Sequence, residues 1–73
     1  MKRDMRILEL FIRLIEGEKI KKKKIAKDYN ISIRTVERYI NIISKVIDKQ
    51  KNGKKLLQNS VGEYMIVYEE YDF

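Results

Sequence analysis

The sequence contains no cysteine and no histidine. Disulfide staples are thereby excluded, as is any ordinary zinc site built on thiolate or imidazole. No glycine-rich phosphate loop occurs, and no two carboxylates are spaced to share a cleft. Ser32 and Ser60 have no base near them in sequence. The expectation is a protein that is not an enzyme and carries no metal or other cofactor. No apolar run approaches the ~18 residues of a membrane span. The opening MKRDMRILELFIRLIEG has the basic start and apolar stretch of an export signal. Glu9 and Arg13 interrupt that stretch, and no small-residue cleavage site follows. A cytoplasmic protein is expected, with no membrane partner and no small-molecule pocket.

What the sequence has in abundance is positive charge. The chain has 73 residues, enough for one domain. A domain of this size buries only about 60% of its unfolded surface. Its stability must come from a compact apolar core or from a partner. With 44% hydrophobic and 38% charged residues it reads as globular. The formal net charge is +6, and its distribution is uneven. Glu69, Glu70 and Asp72 lie in the last five residues, so residues 1–68 hold 17 basic and 8 acidic side chains, or +9. Such a balance suggests a polyanionic partner, nucleic acid first and an anionic membrane second. Lysine that merely keeps an isoleucine-rich chain soluble is the plainer reading of composition alone.

Hydrophobic periodicity divides the chain. From Asp4 to Glu16, the residues Ile7, Leu8, Phe11, Ile12, Leu14 and Ile15 follow helical spacing, with Arg6, Glu9 and Arg13 on the other side. Asp4 can cap this helix, and Gly17 ends it. Ile20 is a brief strand or an anchoring loop residue. A second helix reads from Lys22 to Tyr29 and buries Ile25, Ala26 and Tyr29. Asn30 tolerates the left-handed conformation and can end that helix sharply. Ile31 plugs the turn, and Ser32 is a strong N-cap for a third helix. Helix, three-residue turn and longer helix make a helix-turn-helix arrangement. After the polar, Asn-Gly-bearing 49-KQKNGKK-55, the segments 55-KLLQ-58 and 64-YMIVY-68 read as a hairpin around the loop 59-NSVGE-63. A lone hairpin is unstable, so it must pack on the helices or take a third strand near Ile20.

The third helix, 30-NISIRTVERYINIISK-45, has two opposed faces. Val36, Ile40, Ile43 and Ile47 form an apolar stripe, flanked by Ile33 and Tyr39. Arg34, Arg38, Asn41 and Lys45 form a row almost directly opposite. The stripe fixes the helix rotation, so the row must face outward. Its chemistry suits base reading, because Arg donates bidentately to guanine and Asn pairs bidentately with adenine. In helix-turn-helix docking the start of the recognition helix meets base edges. The base-contact candidates are therefore Arg34, Thr35, Arg38 and Asn41. Lys45 better suits a phosphate, as do Ser32 and the free backbone donors at the helix start. An ordinary solvated face would interleave acids at i+4. Here Glu37 and Asp48 lie only at the edge of the row.

Lys21, Lys22, Lys23 and Lys24 open the second helix, where cations oppose the helix dipole. Phosphates would offset that cost, since the first helix of the motif crosses the DNA backbone. Lys54 and Lys55, at the base of the hairpin, are further phosphate candidates. Ile42 and Val46 lie at the edge of the core stripe. They are expected to pack under the hairpin, or else to form an exposed strip for a dimer or partner.

The stretch 17-GEKIKKKKIAKDYNISIRTVERYI-40 resembles the N-terminal domain of DeoR-type and WYL-type bacterial transcriptional regulators. In that pattern Ile20 occupies the short-strand position, Ile25-Ala26 the Leu-Ala pair and Ile31-Ser32 the turn. Arg34-Thr35-Val36 with Arg38 matches the recognition helix, and Gly62 with Tyr64 matches the wing. Asn30 stands where the family prefers Gly, and Tyr39 where it usually carries Asp. The resemblance implies double-stranded DNA binding, usually as a dimer, with a wing touching backbone or minor groove. Such regulators continue into a large effector-sensing domain. The expectation here is a small stand-alone regulator of phage or mobile-element type, or a part of a larger assembly.

The expected fold is thus mainly α with a small β-hairpin (α+β), a three-helix winged helix-turn-helix. It spans residues 1–68, with helices at about 4–16, 22–29 and 32–48, a wing hairpin at about 54–68 and an acidic tail at 69–73. The leading function is sequence-specific duplex DNA binding for transcriptional control. The alternative is a winged-helix module that docks on a protein, with Ile42 and Val46 as its contact. RNA binding is disfavoured because the tyrosines form no stacking platform.

Overall fold

The computed structural model describes residues 1–50 and 53–68. The expected tail at 69–73 lies outside the described residues. Three helices precede an antiparallel hairpin: α1 (Arg3–Ile15), α2 (Lys22–Tyr29), α3 (Ile33–Gln50), β1 (Lys54–Gln58) and β2 (Tyr64–Tyr68). The chain is mainly helical with a small sheet, an α+β layout of winged-helix type.

The breaks between elements follow from local chemistry. At the end of α1, Gly17 takes φ +93 and lets the Glu18 N–H bond the Arg13 carbonyl at 3.0 Å. Asn30 ends α2 in the left-handed region at φ 54, ψ 50, and the Ile31 N–H then reaches the Ala26 carbonyl at 2.9 Å. Ser32 caps α3, its Oγ accepting the Thr35 N–H at 3.1 Å. The cap expected from Asp4 is not made. α1 starts one residue earlier than the sequence suggested, so Lys2 holds the cap position and makes no side-chain cap bond. Asp4 falls within the first turn, where it still complements the dipole.

Leu10, Leu14, Ile20, Ile25, Val36 and Tyr39 are each at most 2% exposed and form the centre of the core. Ile40, Ile43, Ile47 and Ile66 complete it, with Ala26 at the α2 crossing. Burying each large apolar side chain contributes about 1.5–3 kcal/mol. α1 meets this core with a different face from the one expected. Leu10 is fully buried, whereas Leu8 and Ile12 are 60% and 52% exposed. The helix carries apolar residues on two adjoining faces, and packing selects the face of Leu10 and Leu14.

The hairpin pairs Leu56 with Ile66 and Gln58 with Tyr64. Asn59 folds its loop, its Oδ1 accepting the N–H groups of Val61 and Glu63. Ile66 plugs the hairpin into the core. Ile20 adds a one-residue bridge beyond β2, exchanging two backbone hydrogen bonds with Tyr64 at 2.8 and 2.7 Å. The hairpin thereby gains the support that two strands lack alone.

Candidate nucleic-acid interface

α3 positions the polar row. Its inward face buries Val36, Tyr39, Ile40, Ile43 and Ile47. Arg34, Arg38, Asn41 and Lys45 are all exposed on the opposite face. At about 100° per residue they occupy an arc of about 60°, over a helix length of about 16 Å. No acid lies within that arc. Glu37 and Asp48 border it on the α2 side, and Ile42 and Val46 border it on the other. The row therefore presents two guanidinium forks, one amide and one ammonium to whatever approaches.

Ser32 and Thr35 do local work at the start of α3. Their hydroxyls lie 2.9 Å apart in a hydrogen bond, while Ser32 Oγ also accepts the Thr35 N–H. The Thr35 side chain is half-buried. Both hydroxyls are thus engaged in the cap, which fixes the direction in which Arg34 and Arg38 project.

The lysine run divides once it is folded. Lys22 lies on the side of α2 that faces the body of the protein. Its Nζ is 3.9 Å from Glu37 Oε1 and 5.9 Å from the centre of the Tyr64 ring. Lys21 holds the N-cap position of α2 without a side-chain cap bond. Lys21, Lys23 and Lys24 are exposed. No acid stands in the first turn of α2, so the dipole conflict there is real. Lys27, one turn beyond Lys23, and Lys49, one turn beyond Lys45, are also exposed. Their i+4 spacing from residues already singled out was the signal in sequence for both.

The hairpin carries its candidate cations, Lys54 and Lys55, on β1. Its loop, Asn59–Glu63, carries no Lys or Arg. Lys54 sits at the base of the hairpin, with its ammonium 5.8 Å from the Tyr68 ring centre. Lys55 pairs with Val67 in the ladder and is exposed.

Ile42 and Val46 do not pack under the hairpin. They face α1 and, with Ile7, Leu8, Phe11 and Ile43, line a wholly apolar groove of about 170 Å³. Val46 remains 47% exposed. On the helical circle both residues lie toward Tyr39, whose hydroxyl meets Arg6 of α1.

Tyr29 ties α2 to α1. Its hydroxyl donates to Glu9 Oε1 at 2.7 Å. Burial, reinforced by that hydrogen bond, pushes the Tyr29 hydroxyl pKa above its ordinary value. Arg13 on α1 reaches Glu18 at 2.6 Å and Asp28 at 4.0 Å. These contacts hold the angle between α1 and α2, and so the lysines relative to α3.

Among the described residues no helix is long and apolar enough to cross a membrane. Comparisons with protein-family models, curated proteins and solved structures find no match to the chain.

Proposed function

We propose that the chain is a sequence-specific reader of double-stranded DNA, acting as a small transcriptional regulator. The observation that carries this reading is the acid-free row of Arg34, Arg38, Asn41 and Lys45, exposed on the helix that follows a tight left-handed turn. Arg and Asn at the first turns of α3 have the donor geometry for guanine and adenine edges in the major groove. Lys21, Lys23 and Lys24 at the start of α2 bind phosphates and set the register. Lys45, Lys54 and Lys55 act as further phosphate contacts, and Ser32 holds the helix start toward the backbone. The positive charge of residues 1–68 supplies the sequence-independent part of the affinity. The resemblance to DeoR-type and WYL-type regulators points the same way.

The apolar groove beside Val46 supports a second reading, a module that docks on a protein. The two differ in their response to salt. Phosphate contacts release counterions and weaken steeply as salt rises, whereas an apolar contact survives. Fluorescence anisotropy with random-sequence duplex DNA across a salt series separates them. Binding that falls by orders of magnitude between about 50 and 200 mM salt supports the DNA reading. No binding at the lowest salt overturns it.

A further inference from the structure

Glu37 borders the α3 row beside its first turns. On the helical circle it lies about 40° from Asn41 and about 60° from Arg34. Arg34 stands three residues before it, within reach for an ion pair on one helix face. Among the described residues that pair is not made. The Glu37 carboxylate turns instead to α2, where Lys22 Nζ lies 3.9 Å from Oε1. Lys22 differs from its lysine neighbours in being half-buried, whereas Lys21, Lys23 and Lys24 are exposed. Its ammonium also lies 5.9 Å from the centre of the Tyr64 ring, within cation–π range. Tyr64 is itself fixed by two backbone hydrogen bonds to Ile20. Lys22 is therefore held between β2 and α3, while its neighbours are open to solvent.

We infer that Lys22 is a positioning residue for the base-reading row: it draws the Glu37 carboxylate toward α2 and so leaves Arg34 and Asn41 uncommitted. The inference rests on the reading of α3 as a reader of base edges. Guanine presents two acceptors, O6 and N7, and Arg34 must bring both arms of its guanidinium to them. A carboxylate accepts the same donors in the same forked geometry, and more strongly because it is charged. Glu37 released from Lys22 has Arg34 one turn away and competes for it. It also brings negative charge to a groove edge lined by acceptors and phosphates. Lys22 removes both conflicts without touching DNA. Because Tyr64 holds Lys22 in turn, the hairpin supports the row from behind: β2 fixes the lysine, and the lysine fixes the acid.

The test is a double-mutant cycle on duplex DNA carrying the site selected from a random pool, read by fluorescence anisotropy across a salt series. Lys22→Met keeps the apolar stem beside Tyr64 and removes the charge. It is expected to weaken binding to the selected site roughly three- to fivefold, the scale of an exposed ion pair. Its helical circular dichroism and salt slope are expected to stay close to the parent's. Glu37→Gln removes the competitor for Arg34. Adding Lys22→Met to Glu37→Gln is expected to cause no further loss. A loss of equal size in both backgrounds, with the slope lowered by about one, makes Lys22 a phosphate contact and overturns the inference. A Lys22→Met variant that binds as tightly as the parent also overturns it. A parent that selects no site overturns the reading of α3 itself and the inference with it, a result distinct from the other two.

Discussion

Arg6 on α1 donates its Nε–H to the hydroxyl of Tyr39 on α3 at 3.0 Å, across 33 residues of sequence. Tyr39 is 1% exposed, so its ring is core and only its hydroxyl reaches the rim. This contact ties α3 to α1. Tyr39→Phe keeps the ring and removes the acceptor. Arg6 is half-exposed, so water replaces the lost partner in part. The expected loss is about 1 kcal/mol in chemical denaturation. Tyr39→Ala also empties the core and is expected to cost about 3–5 kcal/mol. If Tyr39→Phe were as damaging as Tyr39→Ala, the division between ring and hydroxyl would be wrong.

Asn30 makes the turn at φ 54. Glycine reaches that region without a Cβ penalty, and alanine does not. Asn30→Gly is therefore expected to stay within about 0.5 kcal/mol of the parent, and Asn30→Ala to lose about 1 kcal/mol. Paired urea melts at one pH decide it. Equal stability of the two variants would mean that the left-handed turn is not held in solution.

Tyr29 gives a pH signature. Its folded-state pKa is raised above the ordinary value of 10.0 by burial and by donation to Glu9. A raised pKa on a neutral acid means that the folded state holds the proton more tightly than the unfolded chain does. The resulting stability is complete below pH 10.0 and is lost as pH climbs through the folded-state value. Tyr29→Phe cannot ionise and removes this loss. Melting curves from pH 8 to 11 are expected to fall more steeply for the parent than for the variant, with lysine titration common to both. Parallel curves would show that the Tyr29–Glu9 bond does not persist.

The two sets of cations are expected to behave differently toward DNA. On the proposed reading, Lys23→Ala removes one phosphate contact. It should weaken all duplexes alike and lower the slope of log affinity against log salt by about one. On the same reading, Arg38→Ala removes a base contact and should cost about 1–3 kcal/mol on the preferred site alone. Anisotropy titrations of both variants on specific and random duplexes resolve the two patterns. A uniform loss for Arg38→Ala would reassign it to the backbone.

Much of this architecture was legible before folding, for local reasons. Asn30, Ser32 and Gly17 each carry a backbone or capping preference that needs no tertiary context. The opposition of Val36, Ile40, Ile43 and Ile47 to the polar row is helical geometry alone. The failures lie where three-dimensional packing decides. α1 is apolar on two adjoining faces, and periodicity cannot say which face meets the core, so Leu10 was missed and Leu8 and Ile12 were misplaced. The same gap misdirected Ile42 and Val46 toward the hairpin, because a position on the helical circle does not say which neighbour stands there. The engagement of Lys22 by Glu37 and Tyr64 depends on how α2, α3 and β2 meet, which no local pattern encodes.

The most direct test of DNA reading is selection of binding sites from a random duplex pool, with the parent and Arg34→Ala run side by side. The parent is expected to enrich a short consensus, and Arg34→Ala to lose preference at a definite base pair within it. A pool that stays random for the parent, or a consensus unchanged by Arg34→Ala, would contradict the assignment of the α3 row to base edges.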